Sequence, residues 1–203
     1  MTLAQPLSPQ APHGLLWLRE VKDRRPGIEL GRLDYLNASY ESDQLFDVPI
    51  GTVLGSAILG ECTQSGLFRE ATGLTKADYI LDVEILHLYS RLDRNLLSLV
   101  PIIPNIRVDA RMELRLRLTD LDGRPFLDKR VHQSDKRWVA GLTATESLSR
   151  AMLQDLLRQI LEEWIPLADQ AIPAFWNRIT EDGPSNASES RAFMLSPLAS
   201  LLQ

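Results

Sequence analysis

The clearest candidates for chemistry in this chain are charged residues on predicted strands. Asp82 and Glu84 stand two positions apart in an alternating stretch, so they share one strand face, as a catalytic acid–base pair would. We favour the simpler interpretation that both carboxylates pair with arginines of the neighbouring strand. The serines lack a G-x-S-x-G pattern, and no phosphate-binding glycine motif occurs. We therefore predict a protein that is not an enzyme and uses no cofactor.

Metal chemistry is not expected either. The chain has three histidines and one cysteine, too few for a Cys/His zinc site. Cys62 lies in a predicted helix, where we expect a small buried hydrophobe; its LGEC context does not fit a lipidation motif. Strict alternation places His87 on the same strand face as Leu81, Val83 and Ile85. This predicts a histidine of the core or its rim rather than a metal ligand.

A row of arginines on one predicted strand forms a candidate anion-binding site. These residues alternate with apolar ones, so they share the solvent face, where they can hold lipid phosphates or another acidic partner. The residues are Arg107, Arg111, Arg115 and Arg117. The alternative is cross-strand pairing with the acidic residues Asp82, Glu84, Asp109 and Glu113. The net charge of −5 argues against a nucleic-acid partner.

The stretch LLSLVPIIPNI, residues 96–106, is apolar, uncharged and interrupted by two prolines. Proline cannot donate to a sheet ladder, so the stretch is predicted to be a loop between two strands. A large exposed apolar patch usually marks an interaction site. We therefore predict contact with a partner subunit or a membrane, and a lid over the protein's own core is the alternative. The predicted contact residues are Leu97, Leu99, Val100, Ile102, Ile103 and Ile106.

Alternating and helical patterns define the elements that position these candidates. Strands are predicted at 14–21, 77–92 and 125–138, and in the stretch 106–124, which alternates up to Leu118 and turns at Asp122-Gly123. One helix is predicted from an N-cap at Asp47 to a stop at Gly66. A second is predicted from the capping box Thr143–Glu146 to Pro166. Its apolar stripe is wide enough to cover a sheet and contains Leu148, Met152, Leu156, Ile160 and Trp164.

The order strand, helix, strand, strand, strand, helix predicts an α+β fold. We expect a two-layer sandwich in which helices cover one face of an antiparallel meander. The predicted organisation is a flexible tether (1–13), the α+β domain (14–166), a short helical annex (167–180), and a linker with an apolar tail (181–203). No run of 18 or more apolar residues occurs, so no membrane span is predicted.

Short motifs in this order resemble the YajG-like envelope lipoproteins of Gram-negative bacteria, with kinship to the LptE-like and transport-auxiliary lipoproteins. The motifs are Asp23-Arg24, Ser65-Gly66-Leu67, the A-D-Y-x-L stretch 77–81 and the D-x-D-G-R stretch 120–124. The resemblance covers roughly residues 14–165 and implies a non-catalytic protein with no catalytic residues to carry over. It implies a periplasmic location, with anchoring at the outer membrane by an N-terminal lipid that this sequence does not contain.

Two functions follow from this resemblance. The first is an accessory or structural subunit that binds protein partners in an outer-membrane-associated assembly through the apolar loop. The alternative is an auxiliary lipoprotein of a lipid or glycolipid ABC transport system. The expected partners are an envelope protein complex, which can include further copies of the chain, and a lipid.

Overall fold

A mixed β-sheet with helices packed on one face forms the fold. The computed structural model describes residues 13–30, 38–40, 48–94, 106–139 and 145–181. The strands are β1 (Leu15–Asp23), β2 (Ala38–Tyr40), β3 (Arg69–Glu70), β4 (Tyr79–Arg94), β5 (Ile106–Thr119) and β6 (Pro125–Val139). The α-helices are α1 (Gly27–Leu30), α2 (Ile50–Gln64) and α3 (Thr145–Glu181), and a 3₁₀ turn spans Leu74–Lys76. The α+β fold class predicted from the sequence is confirmed.

The sheet runs in the order β3-β1-β4-β5-β6, and the short β2 pairs with the far end of β4. β4, β5 and β6 form the predicted antiparallel meander, whereas β1 runs parallel to β4. The turn between β5 and β6 uses Gly123, whose φ of +80° favours glycine. Helix α2 packs on β1, and α3 packs on β4, β5 and β6. The two helices therefore cover one face, which we call the inner face of the sheet. On the opposite, outer face, the described part of the chain places the short α1 beside β4, where Glu29 contacts His87.

The central strand β5 follows the predicted alternation along its whole length. Each of its inward side chains is at most 2% exposed. These are Ile106, Val108, Ala110, Met112, Leu114, Leu116 and Leu118. They pack against the stripe of α3, in which Met152, Leu156, Ile160 and Trp164 are fully buried. This match of a two-residue period with a helical period fixes which face of the sheet is the core.

Helix α3 does not end at Pro166, so that prediction is wrong. It continues through Pro166 and Pro173 as one helix of 37 residues, and it includes the stretch predicted as a separate annex. Proline removes a backbone hydrogen bond and normally breaks a helix. Here Ala168 and Ile172, beyond the first proline, are buried in the same core as the preceding turns. This burial stabilises the continued helix.

Helix α2 ends as predicted, with Gly66 at a φ of +75° directly after the last turn. Cys62 is fully buried in its inner face, and burial raises the pKa of its thiol to about 12. The interpretation of Cys62 as a buried hydrophobe is thus confirmed. Helix α2 begins at Ile50 with Pro49 as its N-cap, so the prediction of Asp47 as the cap is wrong. The predicted cap Thr143 of α3 lies outside the described residues. Among the described helices, none is long and apolar enough to cross a membrane.

Candidate functional site

The four arginines predicted to bind anions all lie on the outer face of β5, and the first two contact acidic side chains of that face. Arg107 contacts Asp93 at 2.5 Å and Asp109 at 3.1 Å. Arg111 contacts Glu113 at 2.7 Å. These distances are those of charge-assisted hydrogen bonds. Both guanidinium groups are therefore engaged within the chain.

Arg115 and Arg117 occupy the other half of the same row. Arg115 donates to both carboxylate oxygens of Asp128, at 2.8 and 2.7 Å, and lies 3.5 Å from Glu84. The hydrogen bonds from Arg115 hold the pKa of Asp128 below its ordinary value. Arg117 is exposed, and within the described ranges its guanidinium takes part in no salt bridge. Of the four arginines, Arg117 is the one whose guanidinium forms no ion pair with a described residue.

The carboxylates of Asp82 and Glu84 share the outer face, as the sequence predicts. Arg19 donates to both oxygens of Asp82, at 2.8 and 2.5 Å. Glu84 lies 3.5 Å from Arg115. Both partners stand on neighbouring strands, so the interpretation as cross-strand ion pairs is confirmed.

His87 lies on the outer face, so its predicted place on the same strand face as Leu81, Val83 and Ile85 is wrong. An extra residue, Leu86, forms a bulge between the pairs Ile85–Leu114 and His87–Glu113, and this reverses the alternation. His87 Nδ1 lies 2.6 Å from an oxygen of Glu29 in α1, and Nε2 lies 3.9 Å from Glu113. The bulge therefore delivers His87 to a cluster of charged groups.

Glu113 is the centre of that cluster and is only 4% exposed. Burial acts to raise its pKa, but hydrogen bonds from Arg111 and Arg130 outweigh this effect and hold the pKa below its ordinary value. Glu29 is similarly buried and accepts a hydrogen bond from the backbone N–H of Leu88 at 3.2 Å. No local sequence pattern marks Glu29, because the contact joins residues nearly sixty positions apart. In the described part of the chain, no group of three or more potential metal ligands occurs.

The predicted contact loop joins the ends of β4 and β5. Arg94, at the end of β4, and Ile106, at the start of β5, form the last residue pair of the two strands next to this segment. Leu97, Leu99, Val100, Ile102 and Ile103 lie outside the described residues, so their predicted contact stays a prediction. Ile106 is fully buried in the core, and we leave it out of the contact surface.

An exposed tryptophan lies at the same end of the sheet as this loop. Trp138 in β6 is 58% exposed and pairs in register with Arg107 on the outer face. Val139, the next residue, pairs with Ile106 at the point where β5 leaves the loop. Tryptophan is enriched at interaction surfaces because it combines a large apolar area with a hydrogen-bond donor. The alternation in β6 is the sequence signal that places this residue on the outer face.

Comparison with known proteins gives structural similarity alone. No protein-family model matches the chain, and no curated protein matches it. Among solved structures, 22 chains match. One is protein XCC0632 from Xanthomonas campestris, assigned to DUF330, with 12% identity over 84% of this chain and 93% of that chain and a TM-score of 0.46.

Two further matched structures have similar scores. The hypothetical protein CT253 from Chlamydia trachomatis shows 12% identity over 78% of this chain and 98% of that chain, with a TM-score of 0.43. A putative lipoprotein from Caulobacter crescentus shows 15% identity over 59% of this chain and 80% of that chain, with a TM-score of 0.41. At such identities and scores these similarities define neither a family nor a function.

Proposed function

We propose that the protein is a non-catalytic accessory subunit of the bacterial cell envelope, which binds protein partners in an outer-membrane-associated assembly through its apolar loop, residues 96–105. The proposal includes a periplasmic location with N-terminal lipid anchoring at the outer membrane. The assignment to the YajG-like and LptE-like lipoproteins is part of it and rests on the short motifs quoted above.

One observation carries this proposal: residues 96–105 are strongly apolar and uncharged, and they connect the ends of β4 and β5. On the outer face at this end of the sheet, Trp138 is 58% exposed beside the ion-paired Arg107. Apolar residues of this kind, together with an exposed tryptophan, are typical of an interaction site.

The non-catalytic part of the proposal is supported by the state of the candidate acids. Asp82 and Glu84 are held in ion pairs, and Glu113 accepts hydrogen bonds from two arginines. A general acid or base needs a pKa near the working pH. The pKa of Glu113 is instead lowered from its ordinary value of 4.5, which moves it further from neutral pH.

The alternative function, an auxiliary lipoprotein of a lipid or glycolipid ABC transport system, is favoured by one observation. The exposed Arg117 lines a surface pocket together with the basic residues Arg19, Lys22 and Arg115 and the acidic residues Glu20, Asp82 and Glu84. An exposed guanidinium without a described ion pair can receive a lipid phosphate. Arg117→Ser should then reduce binding of anionic lipid vesicles, whereas the accessory-subunit function predicts no change.

The main test replaces the loop's apolar side chains. In a variant carrying Leu99→Ser, Val100→Ser, Ile102→Ser and Ile103→Ser, we expect loss of partner proteins from the complex purified from envelope membranes, measured by native mass spectrometry. The thermal midpoint should stay nearly unchanged, because the proposal assigns these side chains to a partner and not to the core.

A matched control removes apolar side chains that are exposed elsewhere. Leu74 and Leu121 are 47% and 55% exposed, so Leu74→Ser with Leu121→Ser makes a similar chemical change away from the loop. This control should retain the partners. A loop variant that retains its partners but loses thermal stability would contradict the proposal and identify the loop as a lid on the core.

A further inference from the structure

The outer edge of β6 is a long strand edge available for pairing. β6 is the last strand in the sheet order, and among the described strands it pairs with β5 alone. It spans 15 residues, Pro125–Val139. A strand edge presents a row of backbone N–H and C=O groups that another strand can pair with. The question is which strand fits this edge.

The charges along β6 have opposite signs at equal distances from its centre. The stretch 128–136 reads DKRVHQSDK, with His132 in the middle. Asp128 and Lys136 lie equally far from His132 on opposite sides, and so do Lys129 and Asp135. An antiparallel copy of the same strand, centred on His132, therefore brings each acidic residue opposite a lysine.

We propose that two copies of the chain associate by antiparallel pairing of their β6 edges about a two-fold axis at His132, which joins the two sheets into one. In this register Asp128 of each copy faces Lys136 of the other, and Lys129 faces Asp135. Such a two-fold contact is the commonest symmetry of soluble oligomers. Backbone hydrogen bonds provide the affinity, and the charge pairs select the register.

The observed orientation of the side chains agrees with this register. Asp128 and Lys136 pair with Arg117 and Asp109 on the outer face of β5. Lys129 and Asp135 instead pair with core positions of β5, Leu116 and Ala110, and so point to the inner side. Directly opposed residues of antiparallel strands share a face. Both proposed ion pairs meet this condition, one on each face of the joined sheet.

Neighbouring registers lack this complementarity. An axis at Gln133 would place Lys129 opposite Arg137 and Arg130 opposite Lys136, so like charges would face each other. With the axis at Val131, no acidic residue would face a basic one. Because like charges directly opposite are destabilising, the His132 register is favoured over both alternatives.

The lysines of this edge are available for such contacts. Within the part of the chain that the structure describes, neither the Lys129 nor the Lys136 ammonium group takes part in a salt bridge. Asp128 and Asp135 each contact an arginine of their own chain, but a carboxylate has about four lone-pair sites and can accept a further donor. Lysines on an edge can instead serve to keep a protein monomeric, and the experiment must separate these roles.

The first test mixes two complementary charge variants. Lys136→Glu and Asp128→Lys each place like charges at both outer pairs of their own dimer, so each alone should self-associate more weakly by about tenfold or more. Their equimolar mixture restores both attractive pairs and should form a mixed dimer, measured by sedimentation equilibrium against the 22.9 kDa monomer. Lys76→Glu, at an exposed lysine away from β6, changes the charge equally and should have no effect.

The second test traps the register with a disulfide. Directly opposed residues of antiparallel strands have Cα atoms about 4.5–5.5 Å apart, within the range that a disulfide spans. His132→Cys should therefore form a covalent dimer under mild oxidation, whereas Ser134→Cys on the same strand and face should not. The native Cys62 is fully buried and will not interfere.

Three results would overturn the proposal. They are a wild-type protein that stays monomeric at its highest soluble concentration, a mixture of charge variants that fails to associate, and equal crosslinking at positions 132 and 134. The first would show that the lysines protect the edge. All measurements use the purified chain, and the loop variant of the preceding section should still dimerise. Failure here therefore leaves the proposed function intact.

Discussion

Replacing Leu116 by aspartate tests most sharply which face of the sheet is the core. Leu116 lies in the middle of β5, is fully buried, and pairs with Val83 on one side and Lys129 on the other. Its side chain points toward the helices. Leu116→Asp therefore removes a large apolar group and introduces a carboxyl group that has no designed partner in the core.

The expected cost can be worked out from its two parts. Losing a buried leucine side chain costs about 2–5 kcal/mol, and leaving a buried polar group without a partner adds about 1–3 kcal/mol. A folded domain has a total stability of about 5–15 kcal/mol. The variant should therefore be unfolded, or its urea midpoint should fall by about 1.5–4 M for a slope near 2 kcal/mol per molar. Circular dichroism during urea titration measures this directly.

The matched control is an exposed residue of the neighbouring strand. Ser134→Asp introduces the same carboxyl group on the exposed outer face of β6, opposite Arg111, where substitutions usually cost about 1 kcal/mol or less. Its urea midpoint should therefore stay close to that of the wild type. Equal midpoints for the two variants, or a Leu116→Asp variant as stable as the wild type, would refute the assigned faces of β5.

Three other expected outcomes follow from particular residues. Because the pKa of Glu113 is lowered on folding, its contribution to stability is present above the unfolded value of 4.5 and is lost as pH falls through the folded value. The urea midpoints of wild type and Glu113→Gln should thus converge between neutral pH and pH values well below 4.5. Cys62, with its pKa raised to about 12, should react with a thiol reagent only after unfolding, whereas Ser56→Cys on the exposed side of α2 reacts at once. Ile172→Ala should cost about 2–4 kcal/mol, because the helix beyond Pro166 belongs to the core, whereas a peripheral annex predicts almost no change.

The sequence predicts this fold best where one period runs uninterrupted. The inward residues of β5 follow strict alternation, and the stripe of α3 has the matching helical period, so both faces could be assigned without the structure. The same reasoning fails at His87, because a single bulge residue, Leu86, reverses the alternation and leaves no mark in the apolar pattern.

Three other features depend on contacts between distant residues. Pro166 predicts a helix end from local propensity, but burial of Ala168 and Ile172 in the core outweighs that preference. Glu29 reaches His87 across the chain, and no local pattern encodes such a contact. The parallel pairing of β1 with β4 belongs to the same class, because strand direction depends on how the intervening chain returns to the sheet.

The central claim, that the loop contacts a partner protein, is tested most directly by site-specific photocrosslinking in intact envelope membranes. A photoreactive amino acid in place of Val100 should give covalent adducts with a second protein, whereas the same group at the exposed Ser56 of α2 should not. Adducts of position 100 confined to the chain's own helices α2 or α3 would contradict the claim, because they would show the loop packed on the core.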